Sequence, residues 1–165
     1  MAPRSIVNFN HVAISVPDAK AAVEWYTGLF DFKEIVPLNE MRSDADRGVY
    51  GSEFKSMKLA ILACGNGVGL EIFEFTDPKY NGPTERVNWN PDTYTRGGFF
   101  HICLTVADVE ATMKEAVERG ARVVGRNVTL VEDEKAVYLQ DPWGNVVELL
   151  SCSCEQLFLK FGRTS

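Results

Sequence analysis

FNHVAISVPDAKAAVEWYTGLF at residues 9–30 and FFHICLTVADVEATMKEAVERG at residues 99–120 are two versions of one phrase. Each opens on an aromatic residue, reaches a histidine, runs through alternating aliphatic residues and turns at an aspartate into helical spacing. The chain holds two histidines, His11 and His101, and both occupy the same place in the phrase. The first copy closes on GVGLEIFEF (67–75) with Glu71, and the second on GNVVELLS (144–151) with Glu148. Self-similarity on this scale predicts two supersecondary units that share a hydrophobic face. One imidazole and one carboxylate per copy predict a four-ligand metal site about a pseudo-twofold axis.

Strand parity supports that reading, because successive side chains point to opposite faces. Val12, Ile14 and Val16 share one face, and His11, Ala13 and Ser15 the other. Ile102, Leu104 and Val106 likewise oppose His101, Cys103 and Thr105. Leu70 and Ile72 oppose Glu71, while Val147 and Leu149 oppose Glu148. All four polar residues therefore lie on the face away from the helices. A carboxylate inside an apolar strand costs several kcal/mol unless it is paired, so Glu71 and Glu148 call for partners. Glu74 has the other parity and is expected to be solvated or paired at the surface.

The order of elements follows from periodicity. Strands are expected at 7–16, 32–37, 57–64 and 68–76, with a helix over 18–30 capped by Asp18. The second copy predicts strands at 98–106, 121–126, 134–140 and 145–151, and a helix over 108–119 that stops at Gly120. Val23, Tyr26 and Phe30 in the first helix, and Val109, Met113 and Val117 in the second, recur at core-facing spacing. The polar stretch 39–56 reads as a loop. The expected fold is α+β: two βαβββ modules in tandem forming an open, cup-shaped mixed sheet around the metal, helices outside. Module 1 spans about 7–76, a linker 77–97, module 2 about 98–151 and an apolar tail 152–165, all within one domain.

The bulk properties exclude several function classes. A formal net charge of −6 with no basic run argues against nucleic acid or an anionic membrane as partner. No run of 18 apolar residues is present. The N-terminus lacks the apolar core of a signal peptide, so a cytoplasmic protein with reduced, mostly buried Cys64, Cys103, Cys152 and Cys154 is expected.

HVAISVPDAKAAVEWYTGLF, LEIFEF, HICLTVADVEA and YLQDPWGNVVEL together resemble the vicinal-oxygen-chelate superfamily. That superfamily includes glyoxalase I, methylmalonyl-CoA epimerase, extradiol dioxygenases and fosfomycin- and bleomycin-resistance proteins. The resemblance covers roughly residues 8 to 151. It implies that His11, Glu71, His101 and Glu148 ligate a divalent ion (Ni, Co, Mn, Fe or Zn), as in bacterial-type glyoxalase I. It also implies a homodimer, and catalytic roles for Glu148, the better candidate for the base, and for Glu71 on the opposite face. Ser15, Phe75 and Thr76 stand where glutathione-dependent members carry other residues, and Phe100 stands where the epimerases carry a second histidine. The resemblance thus extends to the fold and metal more firmly than to glutathione.

The chemistry expected is that of a metal-dependent isomerase or lyase acting on a small carbonyl compound. Phe73, Phe75 and Leu150 share the ligand parity and suggest an aromatic or aliphatic substrate. Arg42, Arg47 and Tyr50, and Arg86, Trp89, Tyr94 and Arg96, are candidates to anchor or shield it. The alternatives are an Fe(II) extradiol-type dioxygenase using His11, His101 and Glu148, and a non-catalytic binding protein.

Overall fold

A computed structural model describes residues 7–43, 49–84 and 86–164. The chain divides into two compact units, one ending at Gly82 and the other beginning at Pro83. Each has the βαβββ order and an open four-stranded mixed sheet.

In the first unit the elements are β1 (His11–Ser15), α1 (Ala19–Phe30), β2 (Lys33–Arg42), β3 (Ser56–Ala63) and β4 (Gly69–Asp77). The sheet order is β1-β4-β3-β2, with β1 parallel to β4 and the other pairs antiparallel. Asp18 starts the helix by accepting a hydrogen bond from Ala21 N at 3.0 Å. Asp31, in the left-handed region at φ 54°, ends it. Ala19, Ala22, Val23, Trp25 and Tyr26 are its buried residues, and Ile14, Leu62, Leu70 and Ile72 are buried in the strands, with Val16 buried just past β1. This is the parity expected for the aliphatic face.

β2 runs through residue 42, well into the stretch expected as a loop. Asn39, Glu40, Met41 and Arg42 pair with Leu59, Lys58, Met57 and Ser56. β2 is an edge strand with two register shifts and mostly exposed side chains, so its hydrophobic alternation is too weak to read.

The second unit holds α2 (Pro91–Thr95), β5 (Ile102–Thr105), α3 (Val109–Glu118), β6 (Arg122–Thr129), β7 (Lys135–Gln140), β8 (Val146–Leu150) and α4 (Cys154–Thr164). Its sheet order, β5-β8-β7-β6, repeats the first, again with one parallel pair, β5 and β8. Asp108 caps α3 by accepting from Ala111 N at 2.9 Å, as Asp18 caps α1. Val109 and Ala116 are buried on α3 and Met113 is half-buried, whereas Val117 is exposed. The helix therefore turns its 109–113–116 stripe inward.

Residues 86–96 pack on the second unit. An Arg86 guanidinium N–H donates to Gly120 O, Arg122 donates to Asn88 Oδ1 at 2.8 Å, and the buried Gln140 donates to Val87 O at 3.2 Å. The tail forms helix α4, whose Leu157 is buried with Ala136, Leu150 and Cys152. All four cysteines are free, and only Cys152 is buried; Cys64, Cys103 and Cys154 are exposed, contrary to the expected burial. Cys64 lies just past β3, and Cys103 shares the open face of β5.

Candidate metal centre

Each unit brings its own histidine and glutamate together. In the first, β1 and β4 run parallel with His11 opposite Gly69 and Ala13 opposite Glu71. That register sets His11 Nε2 3.6 Å from Glu71 Oε2. In the second, His101 stands just before β5, and its Nε2 lies 3.2 Å from Glu148 Oε2. The glutamate side chains are mostly covered, 19% and 15% exposed, while the histidines remain reachable at 48% and 28%. Among the described residues no group of three or more His, Cys, Asp or Glu is gathered closely enough to hold an ion. The structure gives two pairs, one within each unit.

The donor sets fit a divalent cation. Ligand bonds of about 2.1 Å place neighbouring donors roughly 3.0–3.4 Å apart in octahedral or tetrahedral geometry, close to both measured separations. His11 Nδ1 lies 2.7 Å from Asn10 Oδ1, an acceptor, so Nδ1 donates there and Nε2 is the nitrogen turned toward Glu71. His101 has no such partner: Phe100 takes the place of Asn10, and His101 Nδ1 is buried without a hydrogen bond. Its ring is held instead by edge-on contacts with Phe100 and Tyr138, at centroid distances of 4.8 and 5.3 Å.

The surroundings of the two glutamates differ. Across the sheet from Glu71 stand Ala13 and Ile61, and across from Glu148 stand Cys103 and Tyr138. The Tyr138 phenol is pushed up to about 12, first by burial and then by its hydrogen bond to Glu148. The Cys103 thiol is also pushed up to about 12, chiefly because neighbouring groups desolvate it and then by the Glu148 charge. Tyr138 was not singled out from the sequence, although a signal existed. Asp141 N donates to Asn145 O at 2.9 Å, so counting outward from the 141–145 turn pairs Tyr138 with Glu148.

Beside Glu71 the first unit has a cavity of about 210 Å³ lined by Met41, Tyr50, Phe54, Met57, Leu59 and Phe73, with Arg42 and Ser43 also on its wall. Phe73 and Phe75 stack at 5.8 Å, and Tyr50 meets Phe54 and Phe75 edge-on at 5.1 and 5.8 Å. Burial and then the Glu71 charge raise the Tyr50 phenol above its ordinary value.

The other candidates fare unevenly. Arg42 is tied to Glu40 at 2.9 Å, and Arg86 serves the second unit's packing. Trp89 stacks on Tyr94 at 5.2 Å and approaches Phe100, which in turn meets His101 within the second unit. Arg96 is exposed, and Arg47 lies outside the described residues. Leu150 points into the cluster with Ala136, Cys152 and Leu157, where α4 covers it, so it lines no open cavity in the second unit. Glu74 is paired, with Lys58 Nζ at 2.7 Å, but it is mostly covered, at 15% exposed, and not at the surface as its parity suggested, because it also accepts from Ala19 N at 3.0 Å in the first turn of α1.

Comparison with known proteins places the fold. A 2-epi-5-epi-valiolone epimerase from Actinomyces sp. is 29% identical over 152 residues, covering 88% of this chain and 79% of the relative. A glyoxalase family protein from Bacillus cereus superposes with a TM-score of 0.75 at 17% identity, covering 91% of this chain and 97% of its own. The fosfomycin resistance protein FosX from Mesorhizobium loti gives 0.59 at 15% identity, covering 94% and 99%. The family match spans residues 8–149, from just before His11 to just after Glu148, and on it the chain belongs to the Glyoxalase/Bleomycin resistance protein/Dioxygenase superfamily.

Proposed function

We propose that this chain is a divalent-metal-dependent isomerase or lyase that moves a proton beside a carbonyl group of a small, ring-bearing substrate. The observation that carries the reading is the repeated His–Glu pair: two Nε2 atoms and two Oε2 atoms, each couple within 3.6 Å, on the open face of each sheet. His11, Glu71, His101 and Glu148 would hold the ion, which when bound supplies Lewis acidity to a substrate oxygen.

The chain's own residues do the rest. Glu71 and Glu148 are the groups able to accept and return a proton from carbon. Tyr50, Phe54 and Phe73 line the cavity beside Glu71 with apolar surface, which favours a ring next to the carboxylate. The relative at 29% identity is named as an epimerase, which supports proton transfer at a stereocentre without net redox change. The same aromatic wall would also suit the dioxygenase reading, with Glu71 left off the iron; catechol-dependent oxygen uptake with added Fe(II) would favour that reading.

The working form we infer is a homodimer. Phe158, Leu159 and Phe161 leave apolar surface on α4 exposed, which a second copy would cover.

Metal analysis of freshly purified protein tests the proposal. Stoichiometric divalent metal is expected in the wild type, with His11→Ala and Glu148→Gln each lowering metal affinity. Unchanged metal content and affinity in both variants would remove the reading, and ligand binding indifferent to a chelator would favour a metal-free binding protein.

A further inference from the structure

The two carboxylates are not equivalent, although the repeat makes them look so. Glu71 faces Ala13 on one neighbouring strand and Ile61 on the other, side chains with no hydrogen to donate. Glu148 faces Cys103 and Tyr138, whose thiol and phenol each carry a hydrogen to donate. Residues directly opposite in a sheet are in side-chain contact, so these neighbours are fixed by strand register. Tyr138 is itself immobilised: its ring packs on Phe100 at 6.2 Å and edge-on to His101 at 5.3 Å.

We propose that Tyr138 is a positioning residue that holds Glu148 in place as the firm carboxylate ligand and leaves Glu71 as the loose one. The inference rests on the four-ligand reading above. A carboxylate with two neutral donors loses both contacts if it swings away, whereas Glu71 gives up none of that kind. Glu71 is therefore the carboxylate freer to accept a proton from carbon and return it, while Glu148 would stay with the ion. In that transfer the C–H bond breaks, its electron pair stays on the substrate as an enolate, and the proton rests on a Glu71 oxygen until it is returned to carbon.

Co²⁺ titration of the whole protein, read by the visible absorption of the bound ion and by competition with a chromophoric chelator, tests this. Tyr138→Phe keeps the ring contacts and removes the hydroxyl. It is expected to weaken Co²⁺ binding roughly 10- to 100-fold, the range for groups that orient a ligand, and to shift the absorption band. Glu71→Gln is expected to weaken binding less than Glu148→Gln. In a Glu148→Gln background Tyr138→Phe should have no further effect, a result a merely structural role would not give. Cys103→Ala, which removes the other donor, should weaken binding in the same direction and provides the test should Tyr138→Phe not fold. An unchanged affinity and band in Tyr138→Phe, an equal loss in both backgrounds, or a larger loss in Glu71→Gln than in Glu148→Gln would overturn the proposal. A wild type that binds no Co²⁺ would instead remove the ligand reading itself, and this inference with it.

Discussion

Asp141 shows how one side chain can set a whole site. It is fully buried, and its Oδ1 accepts from Trp143 N at 3.0 Å and Asn145 N at 2.8 Å. Its Oδ2 accepts from the Asn145 side chain at 2.7 Å. Gly144, at φ 96°, takes the backbone conformation that L side chains rarely adopt and closes the turn. The register of β7 against β8, and hence the meeting of Tyr138 with Glu148, is counted from this turn. Asp141→Ala would strand two backbone N–H groups in a half-buried turn, each worth about 1–3 kcal/mol. The expected loss is on the order of 3 kcal/mol, read as a lower urea midpoint with an unchanged slope. A midpoint equal to that of the wild type would mean the turn is held by other contacts.

At the scale of elements, the contacts that dock helices to sheets are partly electrostatic, and the last helix is tied chiefly through Glu134, with Glu132 also 3.5 Å from Lys160. Glu134 accepts from Lys160 of α4 and from Ser151 Oγ, just beyond β8. Its carboxyl lies below the ordinary range, first through Lys160 and then through Ser151. A depressed folded-state value means the stabilisation is present above the unfolded value of 4.5 and is lost as pH falls through the lower folded one. Hydrogen exchange should therefore show α4 losing protection below about pH 4.5 while β8 remains protected. Glu134→Gln should abolish that acid step; an unchanged step would place the titrating group elsewhere. α1 is docked differently, with Glu74 linking Lys58 of β3 to the backbone of its first turn.

At the scale of the molecule, the proposed homodimer should sediment at twice the chain mass of 18.4 kDa at micromolar concentration. A monomer there would refute it. Mixing His11→Ala with His101→Ala chains then asks which pairs cooperate. If a site combines the His11–Glu71 pair of one chain with the His101–Glu148 pair of another, some mixed dimers regain one intact site and its metal. If each chain supplies a whole site, none does. The residues that decided the fold were legible because their signals are local. Period-two alternation put the histidine and glutamate of each unit on one face, and two aspartates marked the helix starts. The duplicated phrase fixed the βαβββ order, and this followed from the sequence alone because each signal spans only a few bonds. Tertiary structure decided what those residues touch. The pairing of β2 into an expected loop, the docking of residues 86–96, the burial of Leu150 beneath α4 and the unequal neighbours of Glu71 and Glu148 depend on which strands lie side by side and in what register. Residues far apart in sequence meet there, and no local periodicity records those contacts.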